Sequence, residues 1–252
     1  MKIVIKVGTS VLTDGDSINK ERMLNLVSLI VDLRKDNEVV LVSSGAVALG
    51  YTKKKLDKSI LKNKQALAAI GQPLMAKIYD ELFDIYGIHT AQVLVTDKNL
   101  SNGKEAHKFR DTIESLLEAD IVPIVNENDA TNTSELEVGD NDQLSAYITK
   151  GIDADLLVIL SDIDAYYNCD PVKNSNAEVL SRVVVVSYEE IMRTSDQGTG
   201  FSTGGITTKL KAAKYLMDNN IPMFLGSGLD LEEVSSYLLI GNQIGGTLFS
   251  RQ

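Results

Sequence analysis

Short apolar runs of strand length alternate with amphipathic helical patterns along almost the whole chain. The first run, 2–7, is followed by a helical pattern over 21–37 and then by a second apolar run, 38–43. These runs are continuously apolar, which is typical of strands that are buried on both faces. The alternation therefore predicts an α/β fold with a mostly parallel sheet covered by helices on both sides.

The same alternation continues to the end of the chain. Further strands are predicted at 89–95, 121–125, 155–160, 221–225 and 247–249. Further helices are predicted at 63–86, 105–118, 141–150, 208–219 and 232–239. We expect Pro73 to kink or restart the first of these helices, because proline lacks the backbone N–H group. The stretch 166–205 has the weakest pattern and is predicted to form loops and a small hairpin.

The length and the charge of the chain limit what it can bind. A chain of 252 residues, of which 44% are hydrophobic, fits one large domain over residues 1–252. Its net charge of −10 should repel nucleic acids and anionic membranes, so we expect neither as a partner. An anionic substrate would need a local cluster of positive charge. The run Lys53-Lys54-Lys55 is interpreted as a solvated face, with assistance in phosphate binding as the alternative.

Cysteine and histidine are too scarce for several classes of site. One cysteine, Cys169, excludes an internal disulfide framework. With only His89 and His107 beside it, a Cys/His zinc site is not expected. The start of the chain lacks the apolar core of a signal peptide, and no apolar stretch reaches the about 18 residues of a membrane span. We therefore expect a cytoplasmic protein.

Small and polar residues follow several predicted strands. Lys6-Val7-Gly8-Thr9-Ser10 follows the first strand, and Ser43-Ser44-Gly45-Ala46 follows the second. In parallel sheets ligands bind at the carboxyl ends of the strands, where small residues let backbone N–H groups approach a phosphate. The alternatives are a plain turn in the first case and tight packing in the second.

Two segments are rich in amide and carboxylate groups. Asn126-Glu127-Asn128-Asp129-Ala130 follows the strand at 121–125 and suits the recognition of an amino acid. Gly139-Asp140-Asn141-Asp142 opens a helix and exceeds what helix capping requires. Turns rich in Asp and Asn look similar to the first segment, so that alternative stays open. Ser161-Asp162 follows the strand at 155–160.

A glycine-rich stretch, 198–209, ends with Lys209 at the start of a helix. Glycines, hydroxyl groups and a lysine at a helix N-terminus are typical of a phosphate-binding loop, although a linker is also rich in glycine. The P-loop motif and the protein-kinase motifs are absent. Gly200 to Gly204 fit the G-x-S-x-G pattern of hydrolases, but both histidines precede Ser202 and no buried strand leads into it, so a hydrolase is rejected.

Taken together and in order, these motifs resemble the amino acid kinase family, and within it the branch that phosphorylates glutamate. The matching segments are KVGTSVL (6–12), SSGAVA (43–48), IVPIVNENDA (121–130), VGDNDQLS (138–145) and TGGITTKLKAA (203–213). The resemblance implies a three-layer α/β/α sandwich and transfer of the γ-phosphoryl group of ATP to the γ-carboxylate of L-glutamate. It also implies Mg²⁺ as the partner of ATP, a place at the start of proline synthesis and feedback inhibition by proline. A homo-oligomer is expected.

The resemblance assigns roles to individual residues. Lys6 and Lys209 match phosphate-binding, catalytic lysines, and Asp142 matches the carboxylate that holds them. Ser44, Asp129 and Asn141 match substrate-binding positions. The nucleotide-binding positions are Lys6, Gly8, Ser161, Asp162, Thr203, Gly204, Gly205, Ile206, Thr207, Thr208 and Lys209. No protein residue is assigned to a metal.

The chain departs from the family pattern at two points. Ser161 stands where threonine is more usual, and no PUA domain is expected after Gln252. Two alternatives remain open at this stage. One is a related kinase for aspartate, N-acetylglutamate, carbamate or a nucleotide. The other is a non-catalytic sensor that binds an amino acid and ATP.

Overall fold

The computed structural model describes residues 1–15, 17–100, 103–131, 141–196 and 205–251. The strands are β1 (Lys2–Val7), β2 (Thr13–Asp14), β3 (Ser17–Ile18), β4 (Glu38–Ser43), β5 (Thr90–Val95), β6 (Val122–Glu127), β7 (Leu156–Ser161), β8 (Arg182–Val183), β9 (Met223–Ser227) and β10 (Thr247–Phe249). The helices are α1 (Thr9–Leu12), α2 (Lys20–Leu33), α3 (Ala46–Lys53), α4 (Leu61–Asp84), α5 (Asp97–Leu100), α6 (Lys104–Glu118), α7 (Asn141–Gly151), α8 (Tyr188–Asp196), α9 (Ile206–Asp218) and α10 (Glu232–Ser235), which continues as a π-helical turn, Ser236–Ile240.

Eight of these strands form one sheet in the order β5-β6-β4-β1-β7-β9-β10-β8, and β2 and β3 form a separate small hairpin. Neighbouring strands of the large sheet are parallel except for β9 and β10. The predicted mostly parallel sheet is thus confirmed. Since β1 lies between β4 and β7, the carboxyl ends of these three strands meet at one edge.

Each face of the sheet packs against its own layer of helices. Val4 of β1 belongs to the apolar core that contains Ile148 of α7 and Leu210 of α9. Its neighbour Ile5 points to the other core, which contains Ile30 of α2 and helix α4. Side chains of a strand alternate between the two faces, so β1, which is apolar at both kinds of position, is covered on both sides. The three-layer sandwich is confirmed.

Most predicted elements are present, with shifted ends. The helix predicted at 63–86 runs as α4 without a restart at Pro73. Four helices were missed, the short α1 and α5 together with α3 and α8, and α8 lies in the stretch that had the weakest pattern. In the same stretch an antiparallel bridge pairs Tyr167 with Val179, where a small hairpin was expected. None of the helices in the described ranges is long and apolar enough to cross a membrane.

Helices α3 and α4 touch through their backbones at two glycines. A Cβ atom on Gly71 would lie 1.7 Å from the carbonyl oxygen of Ala46, and one on Gly50 would lie 2.0 Å from that of Leu67. Position 46 therefore faces 71 while 50 faces 67, which makes the two helices an antiparallel hairpin. This hairpin begins directly after Ser44 and Gly45, so its packing fixes the loop at the end of β4.

We predict that Gly71→Ala destabilises the protein by about 1–3 kcal/mol or more, because the new methyl group meets backbone that has to move. The measurement is the free energy of unfolding in denaturant. Gly151→Ala is the matched control, since a Cβ atom at Gly151 would meet nothing within 4 Å. Equal stability of the two variants would contradict the tight packing of α3 on α4.

Candidate active site

Three strand ends come together at the carboxyl edge of the sheet. Val7 is aligned with Ser43 on one side and with Leu160 on the other. Beyond the last aligned residues, the amide of Gly8 donates to the carbonyl of Leu160 (3.1 Å), and the amide of Ser44 donates to that of Val7 (3.2 Å). The motifs that follow β1, β4 and β7 therefore lie side by side.

Two lysines from distant parts of the chain meet one carboxylate at this edge. Lys6 near the end of β1 places its Nζ atom 2.5 Å from Oδ1 of Asp142, at the start of α7. Lys209 in the first turn of α9 places its Nζ atom 3.1 Å from Oδ2 of the same carboxylate. The exposed fractions of these side chains are 7%, 3% and 0% for Lys6, Lys209 and Asp142. The trio predicted from the sequence is thus brought together in a buried position.

The charges in this cluster depend on one another. Burial opposes ionisation of Asp142, but the ammonium groups of Lys6 and Lys209 outweigh it and hold the pKa of the carboxyl group below its usual range. Thr208 also donates to Asp142 from its Oγ1 atom (2.8 Å). Two ammonium groups and one carboxylate carry a net charge of +1. The cluster is therefore a buried, preorganised attraction for an anion.

Gly8 contributes space beside this cluster. Its amide is already bonded to Leu160, and a Cβ atom at this position would lie 3.8 Å from Nζ of Lys6. A larger side chain here would crowd the ammonium group of Lys6. The lack of a side chain at Gly8 thus leaves room for a ligand next to Lys6.

On one side of the lysines lies a group of amide and hydroxyl side chains. Asn141 donates from its Nδ2 atom to Oγ of Ser44 (2.5 Å) and to Oδ1 of Asn126 (3.2 Å). Asp129 is half-buried just beyond β6, and this burial raises the pKa of its carboxyl group. Ser44 and Asn141 are therefore brought together as predicted. Asn126, which is 1% exposed, joins them although the sequence interpretation had assigned it no individual role.

Side chains of helix α4 form hydrogen bonds with residues next to this group. The hydroxyl of Tyr79 lies 2.9 Å from Oγ of Ser43, which precedes Ser44, and both side chains are fully buried. Gln72 donates to the backbone carbonyl of Glu127 (3.3 Å) and accepts from Gln92 (2.8 Å). In the sequence Tyr79 and Gln72 are part of an ordinary amphipathic helix, so nothing in the pattern distinguishes them from core residues.

On the other side of the lysines a cavity of about 260 Å³ opens beyond β7. One wall is the segment 162–172, and the other contains Arg193, Thr194 and Ile206. Asp162 and Ile206 were expected here, whereas the rest of the lining, most of which falls in the weakly patterned stretch, was missed. Ser161 directly precedes this wall, and its hydroxyl donates to Oδ1 of Asp162 (3.0 Å).

The start of α9 links this cavity to the lysines. Gly205 precedes the helix, and Thr207 donates to the hydroxyl of Thr194 in the cavity wall (3.1 Å). Lys209, two residues further on, reaches Asp142. Thr203 and Gly204, which the sequence assigned to the nucleotide, lie outside the described residues.

A model described as the Amino acid kinase family matches residues 1–227. The chain belongs to the amino acid kinase family. Among curated members, a glutamate 5-kinase of Leishmania donovani is 45% identical over 248 residues, which span 98% of this chain and 94% of that protein. A glutamate 5-kinase of Wolinella succinogenes is 44% identical, covering 98% and 97% of the two chains.

Not all relatives have the same length. A glutamate 5-kinase of Dictyoglomus turgidum is 42% identical over 98% of this chain, which corresponds to 67% of that protein. Solved structures of other amino acid kinase-like proteins share the fold. UMP kinase from Bacillus anthracis superposes with a TM-score of 0.66 at 14% identity, covering 100% of this chain and 96% of that one. Isopentenyl phosphate kinase from T. acidophilum superposes with a TM-score of 0.67 at 15% identity, covering 98% of this chain and 99% of that one.

We predict that Asp142→Asn lowers the free energy of unfolding at neutral pH by about 3–5 kcal/mol, because two buried ammonium groups lose the carboxylate that they share. The native carboxyl group has a lowered pKa. The stability that its charge contributes is therefore fully present above about pH 4, the pKa of the group in the unfolded chain. It is lost as the pH falls through the lower pKa of the folded protein. Denaturant titrations of both proteins at several pH values check this. If the difference in unfolding free energy between the two proteins does not become smaller at acidic pH, the electrostatic explanation is contradicted.

Proposed function

We propose that this chain transfers the γ-phosphoryl group of ATP to the γ-carboxylate of L-glutamate, giving L-glutamyl 5-phosphate in the first step of proline synthesis. The observation that carries the proposal is the Lys6–Asp142–Lys209 cluster. Through Asp142 it adjoins Asn141 on the polar side, and through Lys209 it adjoins the helix that borders the cavity. Relatives named glutamate 5-kinase, at 39–45% identity, support the same reaction.

The polar side suits an amino acid that carries two carboxylates. The amide of Asn141 and the hydroxyl of Ser44 already face each other at 2.5 Å and can turn their donors to a carboxylate. A substrate ammonium group would stabilise the charged form of Asp129, whose pKa burial raises. We therefore place glutamate here, with its γ-carboxylate towards Lys6.

The lysines suit the transfer step. A carboxylate oxygen of glutamate forms a new bond to the γ-phosphorus, and the bond from that phosphorus to the bridging oxygen of ADP breaks. No proton has to move, since the carboxylate is already a nucleophile at neutral pH. The difficulty is bringing two anions together and stabilising the charge on the moving phosphoryl group. Lys6 and Lys209, positioned by Asp142, supply positive charge where the two anions meet.

The cavity beyond β7 suits the nucleoside end of ATP. Three carboxylates line it, those of Asp162, Asp164 and Asp170, which disfavour phosphates and accept hydrogen bonds from hydroxyl and amino groups. The phosphates would then lie over Gly205 and the start of α9, where the helix N-terminus and Lys209 attract anions. The nucleotide enters as its Mg²⁺ complex, so the metal arrives with the substrate.

Several further expectations belong to this proposal. The enzyme would act in the cytoplasm as a homo-oligomer, with residues 1–252 forming a single kinase domain. Proline, the end product, would inhibit it from a site in the kinase domain close to the glutamate position. These points follow from the family resemblance and from the logic of the pathway.

We predict that L-glutamate drives ADP formation in the presence of Mg²⁺, and that hydroxylamine traps the product as a hydroxamate, because an acyl phosphate is labile. Aspartate, N-acetylglutamate and UMP are the matched alternative acceptors, assayed under the same conditions. Efficient turnover of one of these with no glutamyl hydroxamate would overturn the assignment.

We predict that Lys6→Met lowers kcat by about 10²–10³-fold, the usual loss when one electrostatic stabiliser of a transition state is removed. The variant keeps Asp142 paired with Lys209, so the fold and the KM for glutamate should change little. Lys6→Arg should rescue activity poorly, because a planar guanidinium does not replace a compact ammonium group. Steady-state kinetics and circular dichroism provide the check, and near-normal kcat in Lys6→Met would refute the mechanism.

A further inference from the structure

Helix α4 is longer than the sheet beside it. Gln72 bonds to the carbonyl of Glu127 at the carboxyl end of β6, while Asp80 accepts from Thr90 at the amino end of β5. The helix therefore descends along the sheet from position 72 onwards. Its first eleven residues, 61–71, stand beyond the carboxyl edge and reach about 16 Å at 1.5 Å per residue.

Helix α3 stands beside this projecting part. It begins directly after Ser44 and Gly45 at the same edge, and the contacts at Gly50 and Gly71 hold it antiparallel to α4. Its far end and the connection to α4, residues 53–60, form the tip of a helical hairpin. One side of the entrance to the Ser44–Asn141 group is thus a wall that rises above the sheet.

The tip of this wall is strongly basic. Residues 53–64 contain one acidic residue, Asp57, and six lysines, all of them exposed: Lys53, Lys54, Lys55, Lys58, Lys62 and Lys64. The complete chain nevertheless has a net charge of −10. We call these six residues the lysine tip. It is a concentration of positive charge on an otherwise acidic protein, and the buried mechanism described above makes no use of it.

Two of these lysines pack on the same aromatic ring. The Nζ atoms of Lys55 and Lys58 lie 4.1 and 4.0 Å from the centre of the Tyr51 ring. The negative face of an aromatic ring attracts ammonium groups, which offsets the repulsion between them. Asp57 is engaged in the turn, where its Oδ1 accepts from the amide and the hydroxyl of Ser59. The loop therefore concentrates positive charge at one point.

We propose that the lysine tip is a capture surface for the anionic acceptor substrate, which it attracts to the entrance and passes to Ser44 and Asn141. This inference rests on the proposed glutamate kinase function. A cluster of charges of one sign raises the local concentration of oppositely charged molecules. Its electrostatic attraction extends over about 8–10 Å at physiological ionic strength. That range is about half of the roughly 16 Å by which the wall rises, so the tip acts on ligands at the entrance.

The position of the hairpin indicates that its charges attract the acceptor substrate rather than the nucleotide. The hairpin follows β4 and its base adjoins Ser44, whereas the cavity assigned to the nucleoside lies beyond β7. Strand β1, with Lys6, lies between β4 and β7. A charge at the tip therefore acts first on ligands that approach from the glutamate side.

The test compares two triple variants of equal net charge. Lys53→Gln, Lys54→Gln and Lys58→Gln remove three charges from the tip, and Lys35→Gln, Lys77→Gln and Lys150→Gln remove three exposed charges elsewhere. Hydroxamate formation is measured with the complete chain at low and high salt, varying glutamate and ATP separately. We expect the tip variant alone to lose kcat/KM for glutamate several-fold at low salt. The loss should fade as salt is added, with kcat unchanged.

Other outcomes overturn the proposal. The lysine tip has no capture role if both variants keep the wild-type kcat/KM and the wild-type dependence on salt. A loss confined to ATP would assign the tip to the nucleotide instead, and a loss of kcat with a lowered melting temperature would make it structural. Failure of the proposed function looks different, because the wild-type protein would then form no glutamyl hydroxamate at any salt concentration.

Discussion

The buried carboxylate of Asp142 is the interaction on which the rest of the site depends. Two lysine side chains that are almost fully buried would repel each other and lose their hydration. Apolar packing compensates for neither of these free-energy costs. Asp142 offsets both costs because each of its oxygen atoms faces one ammonium group. It also joins three elements, β1, α7 and α9. The same contact therefore organises the fold around the sheet edge and leaves the positive charge that phosphoryl transfer needs.

A second connection crosses the sheet from one helical layer to the other. Asn141 starts α7, which packs on one face, and Ser44 leads into α3, which packs on the opposite face. The hydrogen bond between them spans the edge where the substrate is proposed to bind. A ligand that enters here exchanges an existing hydrogen bond for a new one. Selectivity then depends on whether the ligand satisfies both side chains as well as they satisfy each other.

The sequence predicted the parts of this structure that follow from local patterns. Continuous apolar runs such as β1 and β7 gave the sheet, and the polar motifs after them marked its carboxyl edge. The meeting of Lys6, Asp142 and Lys209 came from the family resemblance, since positions so far apart in the chain carry no local signal. Helix α3 was missed because its apolar residues and Gly50 show no amphipathic period. The walls of the cavity were missed because segment 162–172 has neither a helical nor a strand period.

The order of the strands also has a consequence for how the protein is made. β1 leaves the ribosome before β4 and β7, yet it lies between them in the sheet. β4 is available after a few dozen residues, whereas β7 begins at Leu156. During most of synthesis the backbone N–H and C=O groups on one edge of β1 therefore lack their partner strand, which is the condition in which nascent chains associate with one another. A chain interrupted before β7 keeps this open edge, so we expect the need for chaperones to be greatest before β7 has been synthesised.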